Sequence, residues 1–187
     1  MAQATVLLRV GVELADVDRG VYETLDLRVA QHPSESEARV VVRVLARCLL
    51  HEEGLEFGRG LSNVDEPALS LPGAHGGHAL WVDLGAPSAD RVHRASKLAE
   101  RVAIVTDKDA QTLRKEWGSR TIHAADAIEL LLLPRGFVDT LAAGLGRNDA
   151  WVVSLVEGNL SVTAHGESHA CDLVRTTLAA FLAGDAT

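Results

Sequence analysis

Residues 79–106, ALWVDLGAPSADRVHRASKLAERVAIVT, decide the fold class of this chain. Residues 79–85 predict a strand, Ser88 favours the N-cap of a short helix, and 101–106 is a nearly continuous apolar run typical of a buried strand. The helix residues expected to face inward are Val92, Ala95, Leu98 and Ala99. Strand, helix and strand in this order imply a right-handed crossover and a parallel strand pair, and therefore an α/β fold.

The strongest helix signal lies upstream, in residues 32–54, HPSESEARVVVRVLARCLLHEEG. Apolar residues recur there at three- and four-residue steps, Ser34 and Glu37 read as a capping box, and Gly54 offers a left-handed stop. A second face of this helix carries Arg39, Arg43 and Arg47. We favour a solvated helix surface for this stripe, with phosphate contact as the alternative.

Alternating patterns at both ends of the chain predict β-hairpins. Residues 5–14 and 21–30 alternate apolar and polar residues with period two, which predicts an antiparallel pair. Residues 151–156 and 160–165, separated by the turn EGN, predict a second hairpin. The chain is therefore expected to begin and end with sheet.

The whole chain, 1–187, is predicted to form one domain, since no internal repeat or linker marks a boundary. A further helix is expected at about 109–117 and a short strand near 120–123. The expected architecture is a mixed, strongly twisted sheet flanked by the helices 34–51 and 88–99, with hairpins at both ends.

Composition limits the classes of function. A length of 187 residues, 47% apolar residues and a net charge of −8 indicate a globular protein and argue against one that coats nucleic acid, although a local basic stripe can still bind phosphate. Cys48 and Cys171 are too few for a disulfide framework. The longest apolar runs fall short of a membrane span, and the start lacks a basic segment followed by an apolar block, so we expect a cytoplasmic protein with no membrane partner.

Three acidic residues are candidate metal ligands. The periodicities place Glu35 in the first turn of the first helix, Asp65 in a loop before a strand, and Asp83 inside a strand on the same face as Trp81 and Gly85. Carboxylates from a helix, a loop and a strand are a ligand set that Mg²⁺ accepts. The alternative is that Asp83 pairs with an arginine and that Glu35 is a helix-terminal charge stabilised by the helix dipole.

The segments HPSESEARVVVRVLA (32–46), LEFGRGLSNVDEPAL (55–69) and HALWVDLG with the basic helix after it (78–106) resemble the YaeQ family of small bacterial proteins. The usual pattern of that family reads close to HPSET-x-ER, F-x-RGL, DEP and LWIELG-x-P. The resemblance covers roughly residues 5 to 165, in order and with few gaps.

That family in turn resembles the restriction-endonuclease-like superfamily of Mg²⁺-dependent nucleases, whose motif is an Asp at a strand start followed by Asp or Glu, one residue and Lys on the next strand. The resemblance implies a restriction-endonuclease-like core with extra β-hairpins. It implies Glu35 as the helix acid, Asp65 as the first strand acid and Asp83 as the second, together holding one or two Mg²⁺ ions. A metal-activated water would then attack a phosphodiester of nucleic acid.

The lysine of that motif is missing, because Gly85 stands in its place. A substitute cation is expected from the helix after the strand, where Arg91, Arg94 and Lys97 recur at three-residue steps and form one basic edge. Arg94 is expected to lie nearest to Asp83, with Lys97 second and His93 third. Two functions stay open: a Mg²⁺-dependent phosphodiesterase or nuclease, and a non-catalytic nucleic-acid-binding or regulatory protein that has lost the catalytic lysine.

Overall fold

The computed structural model describes residues 5–59 and 65–185, which form two mixed β-sheets and a few helices. The strands are β1 (Val6–Asp16), β2 (Val21–Gln31), β3 (Glu56–Phe57), β4 (Leu69–Pro72), β5 (His78–Leu84), β6 (Ala99–Thr106), β7 (Glu129–Leu132), β8 (Asn148–Val156), β9 (Asn159–Ala164), β10 (Glu167–Asp172) and β11 (Val174–Thr177). The helices are α1 (Glu37–Leu49), α2 (Ala89–Leu98), α3 (Ala110–Trp117), α4 (Arg135–Ala143) and α5 (Leu178–Ala183). No helix in the described ranges has both the length and the apolar content needed to cross a membrane.

The two predicted hairpins form, as β1 with β2 and β8 with β9, but they do not extend the sheet that contains β5 and β6. They join each other through a parallel pairing of β1 with β8, which gives a five-stranded sheet in the order β10-β9-β8-β1-β2. A separate six-stranded sheet has the order β11-β7-β6-β5-β4-β3. The expectation of one mixed sheet is therefore wrong. The sequence did not reveal the second sheet because a parallel pairing between distant strands has no turn signal.

The predicted strand–helix–strand unit is confirmed as β5, α2 and β6. The two strands pair in parallel, with Asp83 opposite Ile104, and Ser88 caps α2 by accepting the N–H of Arg91. Leu98 is 54% exposed, so the expectation that it faces inward is wrong. Six residues beyond the buried Val92, it has rotated by about 240° around the helix axis.

Two further expectations need correction. The N-cap of α1 is Ser36, which accepts the N–H of Arg39, while Ser34 bonds to the ring of His32. Glu35 therefore lies before the helix and not in its first turn. Residues 120–123, where a strand was expected, form no strand, and the apolar block that follows the turns at 123–127 forms β7 instead.

Apolar side chains pack on both faces of the six-stranded sheet. One cluster joins α1 and α4 to the five-stranded sheet and to the face of the six-stranded sheet that carries Leu80, Val82 and Leu84. The other cluster packs α2, α3 and α5 against the opposite face, which carries Trp81. Asp83 lies on this second face of β5, close to the end of the strand where α2 begins.

Candidate functional site

A cavity of about 470 Å³ opens at the end of β5, between α1 and α2. It brings together the three acids singled out in the sequence. Its charged lining residues are Glu35, Asp65, Glu66, Asp83, Arg39, Arg43, Arg91 and Arg94. We call it the carboxylate–arginine cavity.

Glu35 forms the innermost ion pair of the cavity. Its carboxylate is buried just before α1 and accepts from Nη1 of Arg43 at 3.0 and 3.3 Å, and that nitrogen also donates to the carbonyl of Ala30 at 3.0 Å. Burial lowers the pKa of the Arg43 guanidinium below its ordinary value, although the charge of Glu35 opposes the shift. Arg43 is 2% exposed, so the interpretation of the arginine stripe as a solvated surface is wrong at this residue.

Asp83 is buried in β5 and is held by Arg91 in a two-point ion pair. Nη2 of Arg91 donates to Oδ1 at 2.6 Å, and Nε donates to Oδ2 at 2.8 Å. The same guanidinium donates to the carbonyl of Glu66 at 2.7 Å and lies over the Trp81 ring, 5.5 Å from its centroid. Trp81 and Asp83 share a face of the strand as expected, and the alternative interpretation of Asp83 as an arginine partner is confirmed.

The expected order of cations around Asp83 is wrong. Arg91 reaches Asp83 because it stands in the first turn of α2, whereas Arg94, about one turn further on, contacts Asp65 at 3.0 Å. That outer pair is open to solvent, with Asp65 72% and Arg94 51% exposed.

The other two predicted cations point elsewhere. His93 accepts the backbone N–H of His123 at 3.2 Å, and the two rings meet edge to face. Lys97 is exposed on α2. Neither residue belongs to the described lining of the carboxylate–arginine cavity.

Gly85 follows the end of β5 in the left-handed region, with φ +76°. The position is therefore not a strand position, and a lysine there would be strained whatever space surrounds it. A side chain built at Gly85 would first meet Nη1 of Arg39, 3.6 Å from the Cβ position, and then Cε of Lys108 at 4.0 Å. Arg39 and Lys108 thus lie next to the position at which the resemblance implied a lysine.

Of the cations near the site, sequence reasoning missed Lys108. It named Arg39 only as part of the arginine stripe, and it placed Arg91 on the basic helix edge without pairing it with Asp83. A signal existed for Lys108, which follows the end of β6, because the carboxyl ends of neighbouring parallel strands meet at one edge of a sheet. For Arg91 the periodicity identified the correct helix edge, and only the turn of the helix was misjudged.

The predicted metal ligands do not fit a Mg²⁺ ion in this arrangement. Glu35, Asp65 and Asp83 each have an arginine nitrogen at 3.0 Å or closer. In residues 5–59 and 65–185, no three His, Cys, Asp or Glu side chains are grouped so that they could hold a metal ion. The carboxylates face guanidinium groups, so the cavity is balanced in charge by the protein itself.

These observations define a mixed α/β protein whose candidate site is a charge-balanced cavity at the end of a parallel strand. The family model described as YaeQ protein matches residues 1–173, and the chain belongs to the YaeQ family.

Sequence relatives and solved structures agree with this assignment. The chain is 38% identical over 106 residues to the uncharacterised YaeQ protein of Escherichia coli (strain K12), and the match covers 57% of this chain and 59% of that protein. The crystal structure of YaeQ from Pseudomonas syringae superimposes with a TM-score of 0.86 at 33% identity, covering 95% of this chain and 97% of that one. The YaeQ structure from Xanthomonas axonopodis pv. citri gives a TM-score of 0.84 at 30% identity, with 93% and 98% covered.

Proposed function

We propose that this chain binds the phosphodiester backbone of a nucleic acid in the carboxylate–arginine cavity without cleaving it. One observation carries the proposal: Arg39 lines the cavity, and its guanidinium makes few hydrogen bonds within the protein. Its Nε is buried and has no hydrogen-bond partner, its distance to Oε1 of Glu35 is 3.7 Å, and its Nη1 lies 3.5 Å from the carbonyl of Leu84. An arginine carries five N–H donors in a planar fork, and a phosphate is an acceptor that matches this geometry.

The four arginines of the cavity divide into two pairs. Arg43 and Arg91 are held by buried carboxylates, so they form a fixed inner frame. Arg39 and Arg94 are more exposed; Arg39 lies 3.7 Å from Glu35, and Arg94 pairs at 3.0 Å with the exposed Asp65. An exposed ion pair contributes little stability that a ligand must overcome. Arg39 and Arg94 are therefore the residues that would contact phosphate.

Fluorescence polarisation with labelled single-stranded DNA, RNA and duplex DNA tests the proposal. Arg39→Gln is expected to weaken binding about tenfold, because it removes a charged hydrogen-bond donor, and to lower the salt slope by about one phosphate contact. Arg135→Gln is the matched control, since it removes one positive charge from an exposed arginine on α4 that pairs only loosely with Asp139.

Two results would contradict the proposal. One is wild-type protein that binds none of these nucleic acids at low salt. The other is an equal loss of affinity in Arg39→Gln and Arg135→Gln, which would mean that the binding depends on net charge and not on this cavity.

Metal-dependent hydrolysis on a restriction-endonuclease-like core is the second candidate. It is favoured by a single observation, that the three predicted acids line the same cavity. The ion pairs described above would have to open before these acids could hold Mg²⁺. Cleavage of DNA or RNA with Mg²⁺ or Mn²⁺ by the wild type, lost in Asp65→Asn, would establish this function in place of simple binding.

A further inference from the structure

A second, smaller cavity lies beside the carboxylate–arginine cavity, on the other side of Arg39. Its volume is about 110 Å³, and Arg39 and Leu84 line both cavities. We call it the Lys108 cavity, after the cation that it adds. Its other lining residues include Ser36, Gly85 and Asp107.

The backbone builds the Lys108 cavity from the carboxyl ends of two parallel strands and the start of α1. The N–H of Gly85 donates to the carbonyl of Val105 at 2.9 Å, which fixes the turn after β5 against β6. Because Gly85 has no side chain, its backbone forms an open floor between Arg39 and Lys108. The left-handed backbone at this position keeps the floor open, since other residues are strained there.

Charge in the Lys108 cavity is arranged with the cation outward. Asp107 is buried, and Nζ of Lys108 contacts its carboxylate at 3.1 and 3.5 Å while the lysine side chain stays 41% exposed. Asp107 thus holds the ammonium group in place, and the exposed lysine can also reach a ligand. Arg39, between the two cavities, keeps its buried Nε without a hydrogen-bond partner.

We propose that Lys108 forms a second phosphate subsite that shares Arg39 with the first, so that an oligonucleotide with at least two consecutive phosphates binds more tightly than a mononucleotide. This inference rests on the proposed function. The volumes support the assignment, because 110 Å³ equals about four water molecules and suits one phosphate group but no nucleoside. The larger cavity is of the size that holds small organic ligands.

The test is a length series. Labelled oligothymidylates of one, two, four and eight nucleotides, each with a 5′-phosphate, are titrated with the wild type, Lys108→Gln, Lys108→Arg and Lys115→Gln. Lys115 is exposed on α3, so Lys115→Gln removes the same charge outside both cavities. Thermal denaturation of each variant checks that it is folded.

We expect Lys108→Gln to weaken binding of the longer oligonucleotides about fivefold to tenfold and to leave the mononucleotide affinity unchanged. Lys108→Arg should restore the affinity, and Lys115→Gln should match the wild type. Wild-type affinity of folded Lys108→Gln for every length would overturn the subsite and leave the proposed function standing. An equal loss at every length, the mononucleotide included, would also overturn it, since Lys108 would then belong to the first subsite. Absence of binding by the wild type would overturn both proposals.

Discussion

The two ends of α1 are both surrounded by arginine–carboxylate pairs, but the arginines differ in what they have left to donate. At the carboxyl end, Arg19 donates to Asp16 at 2.6 Å and to the carbonyls of Cys48 and His51 at 3.2 and 3.3 Å. Arg175 donates to the carbonyl of Leu49 at 3.1 Å. The last carbonyls of a helix have no partner within the helix, and these arginines supply one.

At the amino end, Arg39 has no comparable set of acceptors. Its guanidinium contacts the carbonyl of Leu84 at 3.5 Å and Oε1 of Glu35 at 3.7 Å, both beyond the usual range of a strong hydrogen bond. A high density of arginines is therefore a poor marker of a binding site. At the amino end, Nε of Arg39 and of Arg43 both lack a hydrogen-bond partner, and of these two arginines only Arg39 is also partly exposed. A partly exposed arginine with few acceptors distinguishes a site that can receive a ligand from one that caps a helix.

The largest loss of stability is expected when the buried ion pair between Glu35 and Arg43 at the amino end of α1 is broken. Arg43→Met leaves the buried carboxylate of Glu35 without its main partner, and we expect the free energy of unfolding to fall by about 3–5 kcal/mol. Urea denaturation measures the change. The double variant Glu35→Gln/Arg43→Met should recover much of the loss, and a single variant as stable as the wild type would show that the pair is not a frame.

Loss of an arginine at the carboxyl end of α1 should lower the free energy of unfolding less. Arg19→Met removes a guanidinium from buried Asp16 and from two helix carbonyls, but Asp16 keeps the backbone N–H of residue 19 at 3.1 Å. We expect a loss of about 2–3 kcal/mol in unfolding free energy, with oligonucleotide affinity unchanged. Weakened oligonucleotide binding in a folded Arg19→Met protein would remove the distinction between the two ends.

The pH dependence of stability tests the same carboxyl end of α1 through His51. Burial, and next the charge of Arg47, lower the pKa of His51 below its ordinary value, so the unfolded chain takes up the proton at higher pH than the folded protein. The contribution of His51 to stability is complete above the unfolded pKa of about 6.5, and it declines as the pH falls from there toward the lowered folded pKa. We expect His51→Gln to show a shallower decline of the urea midpoint between about pH 7 and 5 than the wild type. Identical pH profiles of the urea midpoint for the wild type and His51→Gln would contradict a contribution of His51 to the pH dependence of stability.

The smallest effect on stability is expected at the rim of the carboxylate–arginine cavity. Asp65→Asn breaks the exposed pair with Arg94 and should change the free energy of unfolding by less than about 1 kcal/mol. Oligonucleotide affinity should rise, because the substitution removes a negative charge and leaves Arg94 available for phosphate. A fall in affinity would count against phosphate contact at this rim.

Local patterns predicted the local parts of the fold. The apolar run at 101–106 and the cap at Ser88 correctly defined β6 and α2, and the alternation at 5–14 correctly predicted β1. The pairing of β1 with β8 could not be read in the same way, because its partners, such as Arg9 and Asn148, lie far apart in the chain.

The candidate site shows the same division. The acids were predicted to lie together, and Glu35, Asp65 and Asp83 do line one cavity. An arginine partner for Asp83 was one of the alternatives, but the particular arginine was not predicted, because the choice between Arg91 and Arg94 depends on a single helical turn and on the path between β5 and α2. That path is fixed by a distant contact, the indole N–H of Trp117 donating to the carbonyl of Pro87 at 2.8 Å.

The parallel pairing of β1 with β8 also governs when the protein can fold during its synthesis. The β1–β2 hairpin leaves the ribosome well before β8, the strand that pairs with the free edge of β1. More than one hundred residues separate β2 from β8, which corresponds to a delay on the order of ten seconds. During this interval β1 exposes an unpaired edge beside an apolar face. When β8 and the turn after it have been made, Asp18 accepts the N–H groups of Glu157 and Gly158 at 2.6 and 2.9 Å, which ties that turn to the β1–β2 hairpin.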